Sequence, residues 1–93
     1  MATTTSKYTE IQLLAMYWQN DLKSECAFLN IYDGYQIRFP NGADVVQHKY
    51  SYGGPEGYLE FAGVDEEIDY APIDFETAFN ILKVFHDELS EKA

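Results

Sequence analysis

Apolar residues recur along the first third of the chain with the period of a helix. Ile11, Leu14, Ala15, Trp18 and Leu22 stand at i, i+3, i+4, i+7 and i+11, the stripe of an amphipathic helix that starts near Thr9. Leu13, Met16 and Tyr17 widen the stripe past half the circumference, so this helix either packs deeply or meets a second chain. From Glu25 the alternation becomes that of a strand. CAFLNIY and YQIRF read as two strands, and Asp33-Gly34 between them suits a type I′ hairpin turn, whose central residues both take positive φ. In the second run Tyr35, Ile37 and Phe39 alternate with Gln36 and Arg38, so one face is buried and the other wet. Pro40, Asn41 and Gly42 make the next turn, and ADVVQHKYSY reads as a third strand ending near Tyr52. GYLEFAG reads as a fourth. Past Pro72, Asp74 is placed to cap a second helix, whose core stripe is Phe75, Ala78, Phe79, Leu82, Phe85 and Leu89.

This order predicts an α+β fold: a small antiparallel sheet of three to four strands, with the N-terminal and C-terminal helices packed on one face. The open face is expected to carry some aromatics, leaving room for a partner or a second copy. The 93 residues form a single domain, 1–93, with the first six, rich in Thr, expected to fray.

GGPEG, Gly53 to Gly57, is the one stretch that invites a phosphate-loop reading. It lacks the Lys-Ser or Lys-Thr that follows the glycines of such loops, and Glu56 repels an anion. It reads as a hairpin turn, with Pro55 at a corner.

Charge changes the picture most. The formal net charge is −10, and it is lopsided: residues 1–55 hold five acids against four bases, and residues 56–93 hold eleven against Lys83 and Lys92. Such a field repels nucleic acid and anionic membranes and attracts basic surfaces, so direct nucleic-acid binding is excluded first. The aromatic share of 16% includes eight tyrosines, which serve either at the margins of a small core or on a binding face. There is no apolar run of membrane-spanning length and no signal-peptide pattern, so the protein is expected to be cytoplasmic.

The remaining candidate chemistry is thin. Cys26 lies in a strand pattern and reads as a small apolar residue. His48 stands near Lys49 and Ser51 with no identifiable acidic orienter, and His86 lies one residue past a core position. These three His and Cys residues are too few and too scattered for zinc. Asp65, Glu66, Glu67 and Asp69 form the densest acidic group but lack the spacing of a calcium loop. No cofactor, metal or catalytic residue is implied, and the chain is not expected to be an enzyme.

One run, YQIRFPNGADVVQHKYSYGGPEGYLEFA, resembles a pattern in small proteins of tailed bacteriophages and prophages: F-x-N-G, an apolar pair, S-Y-G-G, then Gly shortly followed by Glu. Phe39, Asn41, Gly42, Val45, Val46, Ser51, Tyr52, Gly53, Gly54, Gly57 and Glu60 carry it, about a third of the chain with neither helix. The resemblance implies a phage origin and brings no functional site with it.

Two functions follow. The first is an acidic interaction protein, phage-encoded, that binds and blocks a basic surface of a host protein. Glu60, Asp65, Glu66, Glu67 and Asp69 with Tyr52, Tyr58 and Tyr70 are its candidate contacts. If VDEEIDY is extended, same-face carboxylates recur every ~6.6 Å, two rises of a strand. That is commensurate with the ~3.4 Å spacing of phosphates, so nucleic-acid mimicry and inhibition of a defence nuclease are open to it. The second is a self-associating scaffold module, a homodimer through the wide first helix or the open sheet face.

Overall fold

The computed structural model describes residues 8–92, so the expectation that the first six residues fray lies outside the described residues. Helix α1 (Thr9–Met16) runs on into a π-helical turn, Tyr17–Asp21. Four strands follow, β1 (Ala27–Ile31), β2 (Gly34–Arg38), β3 (Asp44–Gln47) and β4 (Glu60–Ala62), and helix α2 (Phe75–Lys92) closes the described chain. The sheet is an antiparallel meander in the order β1-β2-β3-β4, giving the expected α+β architecture.

Register explains the core. Ile37 pairs with Val45 and Val45 with Phe61, so one row of side chains crosses three strands on the same face, and all three are fully buried. Ile11, Leu14, Ala15 and Trp18 of the first helix join them, with Ala78, Leu82 and Phe85 of α2. Trp18 sits where these layers meet. Its ring lies 4.7 Å from that of Phe39 and 6.1 Å from that of Phe85, and its Nε1–H donates to the Glu25 carbonyl at 2.8 Å. That bond pins the returning chain as it leaves the helix; Lys23, in the left-handed conformation, turns it.

The start of α1 is capped from a distance. Tyr8 is left-handed and provides no side-chain cap. The buried Gln47 at the end of β3 does so instead: its Oε1 accepts from Ile11 N–H at 3.0 Å, while its Nε2 donates to Glu10 Oε1 and to the Gly54 carbonyl.

Several sequence expectations need correction. The first hairpin turn is Tyr32-Asp33, at φ 47° and 66°, one residue earlier than Asp33-Gly34. Gly34 belongs to β2, opposite Ile31, and leaves room for the backbone of Gln47 and His48. The third strand stops at Gln47 because His48–Tyr52 turns: Ser51 N–H donates to the His48 carbonyl, and the Ser51 hydroxyl bridges that residue's amide and carbonyl. GGPEG is a turn, built on a 3-10 turn at Gly54–Glu56. Val64 to Tyr70, open from sequence to a short acidic strand or an exposed connection, is a series of turns, in which Ile68 and Asp69 N–H both donate to the Asp65 carbonyl. The chain then returns along β4, with Leu59 and Ile73 exchanging both backbone bonds and Tyr70 N–H donating to the Phe61 carbonyl. This covers the β4 edge of the sheet.

The open sheet face also differs from expectation. Its rows are Leu29, Gln36, Val46, Glu60 and Ala27, Arg38, Asp44, Ala62, aliphatic and polar rather than aromatic. Alternation sends Phe28 and Tyr35 to the helix side, where their rings stack at 4.9 Å. Finally, Leu13 and Met16, which widened the α1 stripe, are half-exposed at 50% and 55%.

Candidate interaction surface

The eight residues singled out from sequence do not form one patch of free side chains. Asp69 is turned into its own loop: its two oxygens accept from the backbone N–H of Gly63 at 2.9 Å and of Val64 and Asp65 at 3.2 Å. Asp65 Oδ1 accepts from Glu67 N–H at 2.9 Å, an Asx turn. Glu60 lies on the open face of β4 and accepts from Tyr52 N–H at 3.0 Å. Glu66 and Glu67 project into solvent between the two loop staples. Tyr52, Tyr58 and Tyr70 are exposed at 65%, 42% and 64%, each in a turn or beside one.

Asp69 therefore has a structural role that Glu66 and Glu67 lack. Asp69→Ala leaves three amides without their acceptor and is expected to cost about 1–2 kcal/mol, since charged acceptors are worth about 1.5–3 kcal/mol and water replaces part of that. Glu66→Ala and Glu67→Ala are expected to fall within about 0.5 kcal/mol of the parent. Urea denaturation separates the two; equal effects at all three positions would contradict this division of labour.

A second exposed acidic group lies on α2. Asp87, Glu88 and Glu91 are exposed in its last turns. Between loop and helix runs a groove of about 340 Å³, lined by Val64, Ile68, Ile81 and Val84, with Asp65 and Glu88 among its walls. Lys83 is turned off this face, with Nζ 5.9 Å over the Phe79 ring. No family model, curated protein or solved structure matches the chain.

At the hairpin end lies an aromatic cluster that strand-by-strand reading missed. The Tyr32 ring meets His48 at 5.0 Å and Tyr50 at 5.2 Å, edge to face, and Lys49 reaches Asp33 at 3.4 Å. Here the buried His48 uses Nδ1 to accept from Tyr50 N–H at 3.1 Å. Burial lowers its pKa from the ordinary 6.5, with Glu60 opposing. A histidine held neutral in the fold contributes stability present above its unfolded pKa and lost as pH falls through the folded value. The urea midpoint of the parent should therefore fall between about pH 7 and about pH 5, and His48→Asn, which keeps an acceptor there, should flatten that slope; an unchanged slope would remove His48 as its cause. Asp44 acts in the opposite sense at lower pH: burial raises its pKa from 3.8, with the Gln36 hydrogen bond and Arg38 opposing.

The nucleophile candidates are occupied. The Ser51 hydroxyl is held by the His48 backbone. Burial pushes the Cys26 thiol up, away from the thiolate, with the Gln19 amide partly offsetting. Ser24 Oγ meets His86 Nε2 at 2.7 Å, a pair that sequence separation concealed. The same hydroxyl reaches the Leu22 carbonyl at 3.1 Å, and Asp87 stands 4.0 Å from His86 Nδ1, beyond hydrogen-bond reach. This pair fastens the loop after the first helix to α2. Among the described residues no group of three or more His, Cys, Asp or Glu side chains is placed to hold a metal ion, and no helix is long and apolar enough to cross a membrane.

Proposed function

We propose that the protein is an acidic interaction module that binds and blocks a basic surface of another protein. One observation carries the reading. Asp87, Glu88 and Glu91 are exposed at the C-terminal end of α2, where the helix dipole is already negative and each acid costs about 0.3–1 kcal/mol. They do nothing for the helix, and like Glu66 and Glu67 they are exposed, with Glu88 facing the 64–68 turn across the groove that it lines with Asp65. Acids that oppose local stability are accounted for by a cationic partner. The resemblance to small phage proteins supports a host protein as that partner. The extended-strand route to phosphate mimicry has no support, since residues 64–70 are turns and two of their four carboxylates bind the loop's own backbone.

The test is capture from nuclease-treated bacterial lysate at rising salt, using the parent and a Glu66→Lys, Glu67→Lys, Glu88→Lys variant. A basic protein held by the parent, released by salt and not held by the variant is the expected result. Equal retention by both chains would contradict it.

A second reading rests on the exposed Leu13 and Met16, which line an apolar groove with Tyr17, Phe75 and Phe79. It makes that face a homodimer seam. Sedimentation equilibrium decides: a dimer dissociated by Met16→Lys supports it, and a monomer at high concentration removes it.

A further inference from the structure

We infer that the groove between the 64–68 turn and α2 receives an amphipathic helix of the partner, with apolar anchors on one side and Lys or Arg flanking them. This presupposes the acidic-module reading above and specifies the chemistry of its partner. The floor is apolar and accessible: Val64, Ile68, Ile81 and Val84 line it, and Val84 is 58% exposed in the middle of a charged helix. The walls are anionic, with Asp65 on the loop side and Glu88 on the helix side. From Thr77 to Glu88 the lining spans about 16 Å of helix, three turns, the length over which anchors at i, i+4 and i+7 can engage.

The groove offers side chains and no free backbone ladder, because the neighbouring edge of β4 is already paired by residues 70–73. An occupant must therefore satisfy its own backbone hydrogen bonds, which a helix does and an extended peptide does not. Charge decides its sign. A second copy of this chain, itself at −10, would be repelled by the same walls, and so would an anionic membrane. A cationic helix meets both walls with the opposite sign.

The experiment titrates the full chain, followed by its backbone amide NMR spectrum at low salt, with two synthetic helical peptides of equal positive charge. One carries leucines at i, i+4 and i+7; the other has serines there. The leucine peptide is expected to bind at least about tenfold more tightly and to shift amides of residues 64–68 and 77–88. Val84→Ser should weaken the leucine peptide about tenfold and leave the serine peptide unchanged, whereas Glu88→Lys should weaken both. Each variant is first checked for the parent's spectral dispersion, and Val84→Ala replaces Val84→Ser if serine unfolds the helix. Equal affinity of the two peptides, with no effect at Val84, would overturn the groove and leave the acidic module standing. Shifts centred on Leu13 and Met16 would place the occupant elsewhere and overturn the groove as well. Binding of neither peptide would overturn both.

Discussion

Trp18→Ala is expected to remove about 3–5 kcal/mol of stability, the usual range for deleting a buried aromatic side chain. Against the ~5–15 kcal/mol of a typical domain, that leaves the chain marginal or unfolded. The reason lies in the position of Trp18. The ring is 1% exposed and touches Phe39 beside the sheet, Phe85 and His86 on α2, and, through Nε1–H, the Glu25 carbonyl. Because its contacts reach all of these layers, the space left cannot close by the movement of one element. Trp18→Phe keeps much of the packing and loses the hydrogen bond, for about 1–2 kcal/mol. Urea denaturation followed by circular dichroism measures both. A loss under about 1.5 kcal/mol for the alanine variant would show that the core is not organised around this ring.

Gly34→Ala is the second large effect, and its cause is steric rather than conformational. A Cβ at Gly34 would fall onto the Gln47 carbonyl oxygen and lie 2.6 Å from His48 Cα, so β2 and β3 must part where Gln47 caps α1. The expected cost is about 3 kcal/mol, at the upper end for overpacking. Gly42→Ala is the control. Gly42 has φ +95° and open space around its Cβ position, so only backbone strain of about 1–2 kcal/mol opposes alanine there. Thermal unfolding should rank Gly34→Ala well below Gly42→Ala, and the reverse order would mean that β2 and β3 do not approach as closely as described.

Gly34 also shows what sequence could and could not reveal. The helices were legible because their apolar spacing is set by their own geometry, and Ile11, Leu14, Trp18, Ala78, Leu82 and Phe85 are all in the core. The meander was legible from its turn residues. The exact hairpin turn was not, because Asp-Gly satisfies a positive-φ rule that Tyr32-Asp33 meets here, while Gly34 answers to a neighbour thirteen residues on. The early end of β3 depends on the hydroxyl of Ser51 folding back on His48, a contact with no periodic signature.

The exposure of the candidate residues was legible in part. Charge asymmetry pointed to residues after 55, and Glu66 and Glu67 are indeed exposed there. Composition cannot tell a free carboxylate from one that holds a loop, so Asp65 and Asp69 looked equivalent to them. Nor could it place Glu88 across a groove from Asp65, since that requires knowing how the chain returns along β4 before entering α2.

The measurement that tests the central claim most directly is amide NMR mapping of the full chain with the basic protein recovered from lysate. The account predicts perturbations confined to residues 64–68 and the groove side of α2, fading as salt rises. Perturbations on the open face of the sheet or around Leu13 and Met16, or binding indifferent to salt, would contradict it.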